Sequence, residues 1–381
     1  MKKAMICLLT LALTFGLCLS GCGRRAVQEN PDAENGFTEN PEMENSGVFA
    51  GGTGTEDDPY VITTVSGLDA VRNDLTACYR LDADIDLSGV EWTPIGAFIP
   101  AGEENEEQEI PVMENAFTGI FDGGSHTISH LTVNQPESAA AGLFGCIRDA
   151  HIYNLNVDSA TVDGGGMTGA VVGYAYNSRL TAVSLTGNNF VTGYNNESEN
   201  IEKIGGMVGG AKNSLMDSCA ARANVIVPEN AGGVGILCGG LEVTSVINGY
   251  ATGTLTAGSD CYALGGICGS STGSEKIINC TAENIRIATG DNVHFVGGLS
   301  GYTGKYEDES GAYVTVVSRC AVNNVEIVTG EEAANIGGMI GNGIGSGEDV
   351  FGEFTVENCT MSGVTVNGEE MFLNGEAPEE H

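Results

Sequence analysis

A five-residue pattern, G-x-φ-x-G with φ apolar and Ala opening the first copy, recurs seven times in this chain of 381 residues. The copies are AGLFG (141–145), GAVVG (169–173), GGMVG (205–209), GILCG (235–239), GGICG (265–269), GGLSG (297–301) and GGMIG (337–341), with closing glycines 28 to 40 residues apart. The central position is always apolar: Leu143, Val171, Met207, Leu237, Ile267, Leu299 and Met339. A fixed period of this length marks a repeat architecture, in which each unit buries its apolar face only against its neighbours.

Two further columns follow each copy. Leu155, Val183, Cys219, Gly249 and Cys280 lie ten or eleven residues past the first five closing glycines. Cys320 and Cys359 lie eighteen or nineteen past the last two. Two residues on come Val157, Leu185, Ala221, Ala251, Ala282, Val322 and Met361. A step of two between apolar or small residues is a strand with one buried face. A third short strand follows at Thr161-Val162, Val225–Val227, Ile285–Ile287, Val325–Ile327 and Val364–Val366. Three short strands per unit, with equivalent positions alike in kind, is the signature of a parallel β-solenoid whose coils stack about 4.8 Å apart. Helical repeats do not fit, because the units hold no ten-residue stretch of 3.6 periodicity and are rich in glycine. A propeller would need about four strands per blade.

The chain opens MKKAMICLLTLALTFGLCLSGCG. Lys2 and Lys3 precede an apolar run too short to span a bilayer. The run ends in Leu19-Ser20-Gly21-Cys22, which resembles a bacterial lipobox. That resemblance implies a signal peptide over 1–21, cleavage before Cys22, and a lipid on its thiol that anchors the protein to the membrane at the extracellular face of the cell envelope. Residues 22–52, rich in Asn, Glu, Pro and Gly with no apolar period, read as a disordered acidic tether.

The seven copies resemble the GLUG motif of bacterial surface proteins. The lead-in GTGTEDDPYVI (53–62), YRLDADIDLSG (79–89), WTPIG (92–96) and FTGIFDGGSHTISHLTV (117–133) is similar to the same group. The resemblance implies an all-β, right-handed parallel β-helix over 53–367, with lead-in coils at 53–140 and the seven repeats at 141–367, in an extracellular, adhesive or ligand-binding setting. Some members carry the motif beside a zinc peptidase domain; no HExxH is present here, so that activity does not carry over.

An open solenoid needs caps on its end strands. Residues 66–75, apolar at 68, 71 and 75, read as a short N-terminal capping helix with Ser66 as N-cap. The acidic tail 368–381 offers no recognisable C-terminal cap.

Lys plus Arg number 15 against 51 acids, a formal net charge of −36, and removal of 1–21 takes away two more positive charges. Nucleic-acid partners are therefore excluded, since phosphate affinity comes from Lys and Arg. Body cysteines 78, 146, 219, 238, 261, 268, 280, 320 and 359 read as small buried hydrophobes stacked in the core, with Cys238–Cys268 or Cys320–Cys359 disulfides as the alternative. Asp82, Asp84 and Asp86 alternate with Ala83, Ile85 and Leu87; they form an outer strand face, with calcium the sharper reading. His126 and His130 lie four apart, but in a strand pattern that does not converge on a metal. No catalytic or metal site is assigned, and no cofactor beyond that calcium.

Cations Lys203, Lys212, Arg222, Lys276, Arg286, Lys305 and Arg319 fall in no common column, which weighs against a lyase acting on uronates. The last two coils carry extra residues at one corner, 302–318 and 342–358. Stacked side by side, these loops bring Tyr302, Tyr306, Tyr313, Phe351 and Phe354 beside carboxylates, a surface suited to sugar stacking or a calcium-bridged ligand. The expectation is a lipid-anchored surface protein whose β-helix serves as an adhesin or carbohydrate-binding module for a glycan or matrix ligand. A polysaccharide-active enzyme and a structural spacer are the alternatives.

Overall fold

The computed structural model describes residues 47–97, 113, 115–193, 203–273, 276–308, 311–342 and 353–373, with the backbone alone at 306–308 and 311–313. Cys22 and the signal segment lie outside the described residues. The described chain is a parallel β-helix. Its strands fall into sheets of ten, twelve, seven and six strands, almost all parallel, with a two-stranded hairpin at Tyr306–Asp308 and Gly311–Tyr313.

One coil shows the plan. Lys203–Gly205 lies in the seven-stranded sheet, Val208–Lys212 in the six-stranded, Leu215–Asp217 in the ten-stranded and Ala220–Val227 in the twelve-stranded. This coil thus has four strands, not three. The GGMVG copy is a corner, spanning the end of one strand and the start of the next. Expected second and third strands are fused into one long strand, whose burial alternates along Ala220–Val227.

The corner explains the glycines. A Cβ on Gly239 would meet Ile204 N at 2.4 Å, Gly209 O at 2.6 Å and Gly233 O at 2.6 Å. All three atoms are backbone, so no side chain can yield. The seven central residues, from Leu143 to Met339, are fully buried. They are successive neighbours: Val171 N donates to Met207 O (3.0 Å), Met207 N to Leu237 O (3.2 Å), Ile267 N to Leu299 O (2.8 Å) and Leu299 N to Met339 O (2.9 Å).

The column Val157, Leu185, Ala221, Ala251, Ala282, Val322, Met361 is in register throughout. The third column slips. Val225 pairs with Leu255, and Leu255 with Ile287, so Ile287 rather than Ile285 continues it. The cause is an extra residue between Ala282 and Ile285: Asn284 adopts φ 53°, and the register shifts between Ala251 and Gly253.

The thiol column forms as expected. The nine body cysteines carry no disulfide, and all but Cys78 are buried. Cys320 Sγ donates to Ile277 O (3.3 Å) and Cys280 Sγ to Val246 O (3.5 Å), each reaching back one coil. A Cβ on Gly249 would stand 3.1 Å from Cys280 Sγ, so this position in the column is filled by its neighbour's sulfur. A second ladder, of hydroxyls, went unread in the sequence. Ser178 N donates to Ser214 Oγ (3.0 Å) and Ser214 N to Thr244 Oγ1 (3.1 Å), while each hydroxyl donates to the carbonyl two residues before it. These corners are buried, so their N–H groups need such acceptors.

At the N-terminal end, helix Val65–Asp69 continues as a 3-10 turn, Ala70–Asn73. Leu68 and Val71 are buried against the first coil. The N-cap is Thr64, not Ser66: its Oγ1 accepts from Gly67 N at 3.1 Å, because Thr64 has the extended backbone that a cap requires. Ordered structure also begins before residue 53. Phe49 stacks on Tyr60 (4.5 Å), and Ala50 N donates to Val61 O (2.8 Å). The lone Trp92 ties lead-in to repeats, its indole N–H donating to Leu143 O at 3.1 Å. At the other end, Glu369–Met371 lies antiparallel on Thr360–Val366, inside the segment read as tail. Met371 and Leu373 pack on the core there, which supplies the C-terminal cover that the tail's acidic composition hid.

Candidate functional site

Long strands of the twelve-stranded sheet turn every second side chain outward. Around Gly253 this outer face hollows into an open groove of about 760 Å³. Gly253, at φ +132°, lies so close to the previous coil that a Cβ would meet Ala223 O at 2.0 Å. Gly253 and the bulged Asn284 both line the hollow. Its lining is amide, hydroxyl and guanidinium: Asn224, Tyr250, Thr254, Asn284, Arg222 and Arg286 among them.

The amides hold one another in place. Asn224 Nδ2 donates to Asn188 Oδ1 (3.0 Å), Thr254 Oγ1 to Asn224 Oδ1 (2.8 Å), and Asn324 Nδ2 to Asn284 Oδ1 (3.0 Å). Tyr250 donates its hydroxyl to Glu283 Oε2 at 3.0 Å; burial, with this carboxylate second, raises the phenol above its ordinary value. Arg286 Nε sits 3.5 Å from Glu326. The arrangement can satisfy many weak hydrogen bonds along an extended polar ligand.

The aromatic corner of the last two coils is partly assembled. Their loops do stack: Lys305 Nζ pairs with Glu353 at 2.9 Å, Asn342 Oδ1 accepts from Thr303 N at 2.8 Å, and Thr315 lies beside Phe354 in register. Tyr306 is the backbone register partner of Tyr313 in the antiparallel hairpin. Tyr302 is half-buried and packs edge-on to Phe295, ring centroids 5.2 Å apart, so one edge of it is already engaged. Phe351 lies outside the described residues.

The aspartate strand and the histidine pair, weighed separately in the sequence, are one feature. Asp84 Oδ1 accepts from Thr127 N (2.9 Å) and lies 3.2 Å from His126 Nδ1. Asp86 Oδ1 accepts from Ser88 Oγ (2.7 Å) and Ser88 N (3.0 Å), and lies 2.9 Å from His130 Nδ1. These bonds hold the Asp84 carboxyl below its ordinary range and that of Asp86 down to about 2. No cluster of three or more His, Cys, Asp or Glu that could hold a metal ion occurs among the described residues.

A smaller cavity of about 260 Å³ brings Cys78, Asp122, His151 and Tyr153 together. A nucleophilic thiol would be shifted toward the thiolate. Cys78 is shifted the other way, by burial and then by Glu56, despite a backbone hydrogen bond that opposes both.

No family model matches the chain. It is similar to halomucin of Haloquadratum walsbyi, 35% identical over 181 residues, which is 45% of this chain and 2% of that protein. It is also similar to a protein of Evansella cellulosilytica provisionally named a Gly-rich membrane protein, 36% identical over 143 residues, 34% of this chain and 15% of that one. The chain therefore spans only a small fraction of each relative's length. Among solved structures, a chain from Bacteroides ovatus provisionally assigned as an immunoglobulin A1 protease superposes with a TM-score of 0.51 at 19% identity, covering 91% of this chain and 87% of that one. At that identity the likeness concerns the fold, which it supports along nearly the whole chain.

Proposed function

We propose that this protein is a lipid-anchored component of the bacterial cell surface whose β-helix binds an extended, hydroxyl-rich ligand, acting as an adhesin or carbohydrate-binding module without catalysis. The carrying observation is the groove at Gly253, with its pre-ordered amides and the Tyr250 ring. Amides held by neighbours lose little entropy on binding, and an aromatic ring at the rim suits the apolar face of a sugar. The surface setting is supported by the lipobox resemblance at Cys22 and by the names of the two relatives. In the same reading Tyr302, Tyr306, Tyr313, Phe351 and Phe354, grouped from the sequence, form a secondary contact.

The test is a glycan array with the whole protein, followed by product analysis. Binding without release of reducing sugar, weakened by Tyr250→Ala, supports the reading. Turnover of a bound glycan replaces it with an enzyme, and silence in both assays leaves a spacer.

A further inference from the structure

The ten-stranded sheet carries a second open groove, of about 600 Å³, on another face of the coil. Register builds it. Arg179 lies beside Leu215 and Leu215 beside Ser245, while Val246 pairs with Ile277, which places Lys276 next in line after Ser245. Arg179, Leu215, Ser245 and Lys276 are thus one outward column, three strand steps long, or about 14 Å from end to end. Leu215 and Ser245 floor the middle, and Asn213, with the Ser214 corner, forms a side. Of the cations weighed in the sequence only Lys276 lies in this column; Arg179 was not among them.

The charge of this groove is opposite to that of the chain. Two cations line it, and no carboxylate does among the described residues. The protein as a whole has 15 basic residues against 51 acids. Both cationic side chains are exposed, and neither has an ion-pair or hydrogen-bond partner among the described residues. The neighbouring His151 feels the field: its imidazole is shifted toward the neutral form, by burial first and by Arg179 second.

We infer that this groove binds an acidic polysaccharide, with Arg179 and Lys276 each taking a carboxylate or sulfate of the same chain. A strand-adding peptide finds no free backbone here, because Arg179–Thr181 is paired on both sides. A sugar chain needs only side chains, and the groove offers cations spaced widely enough for substituents on non-adjacent residues. The choice of a sugar polymer rests on the binding-module reading; the choice of charge rests on the groove alone.

The experiment measures binding of the full chain to polygalacturonate, to a sulfated glycan and to a neutral galactan, at low and raised salt. An acidic polymer should bind more tightly than the neutral one, and raised salt should weaken it. The sulfated and carboxylated arms separate the two sources of charge. The double variant Arg179→Gln with Lys276→Gln should lose about tenfold or more in affinity for the acidic polymer, since two charge-assisted contacts go. Arg179→Lys should keep most of the binding. Both sites are exposed, so circular dichroism of the variants should match the parent. Equal binding of parent and double variant, or preference of the parent for the neutral polymer, overturns the inference while the binding-module reading stands. Binding to no glycan on an array removes both.

Discussion

His130 Nδ1 lies 2.9 Å from Asp86 Oδ1, although 44 positions separate them in the chain. The same strand pair joins His126 to Asp84 at 3.2 Å. One parallel pairing, Ile85 with Ile128, places both aspartates against both histidines.

The pH dependence of stability follows from these contacts. Asp86 is held at about 2 in the folded state by Ser88 and His130, below the usual value for a free aspartate. A carboxyl depressed on folding stabilises the fold above its unfolded value, and that contribution is lost as pH falls through the folded value. The stability gap between the parent and Asp86→Asn should be largest above about pH 4 and close as pH drops toward about 2. Urea midpoints across that window check it; a gap that stays constant contradicts it.

A substitution in the glycine corner should carry a steric cost that one outside it does not. Gly239→Ala drives a Cβ into three backbone atoms and should destabilise by about 2 kcal/mol or more. Gly51→Ala meets nothing closer than Val61 Cγ2 at 4.0 Å and should be nearly neutral. Thermal or urea unfolding of the two variants gives the comparison, and equal effects would contradict it.

Ser214→Ala removes the acceptor of the buried Ser178 N–H and should cost about 1–3 kcal/mol. Ser214→Thr should be tolerated, because Thr244 occupies the equivalent place one coil on with the same bonds. A tolerated alanine would show that the hydroxyl ladder contributes nothing.

Thiol chemistry should report the core directly. Burial pushes the Cys146, Cys219 and Cys268 thiols up to about 12, and contacts with neighbouring thiols with burial do the same for Cys320. A thiol-alkylating reagent on the native protein should modify Cys78 alone among the nine body cysteines, and slowly. Peptide mapping reads the outcome; rapid labelling of Cys268 or Cys320 would place them outside the core.

What the sequence revealed and what it hid have a common physical origin. Columns such as Val157 to Met361 were legible because a one-residue slip would turn each buried side chain outward, so the interior enforces the repeat. Outward positions carry no such constraint. The bulge at Asn284 moves Ile285 out of the column of Val225 without leaving an apolar mismatch, and the groove it lines stayed unseen. Arg179 and Lys276 meet in one column only after several coils of unequal length are summed. The histidine–aspartate pairs lie in lead-in coils that lack the repeat, where no period linked the two strands. Of the aromatic corner, the stacking of the two loops was legible from their equal placement, while the engagement of Tyr302 by Phe295 was not, since Phe295 belongs to an adjacent corner.

The central claim is that each copy adds one strand spacing along a single axis, whatever its length in residues. Asn156, Ser184, Ala220, Tyr250, Thr281, Ala321 and Thr360 form one outer column. In a Cys78→Ser background, spin labels at Asn156→Cys paired in turn with Thr281→Cys, Ala321→Cys and Thr360→Cys measure it by dipolar spectroscopy. The account requires mean distances near about 19, 24 and 29 Å, rising by one strand spacing of about 4.8 Å per coil. Distances that fail to rise by about one strand spacing from one pair to the next would contradict it.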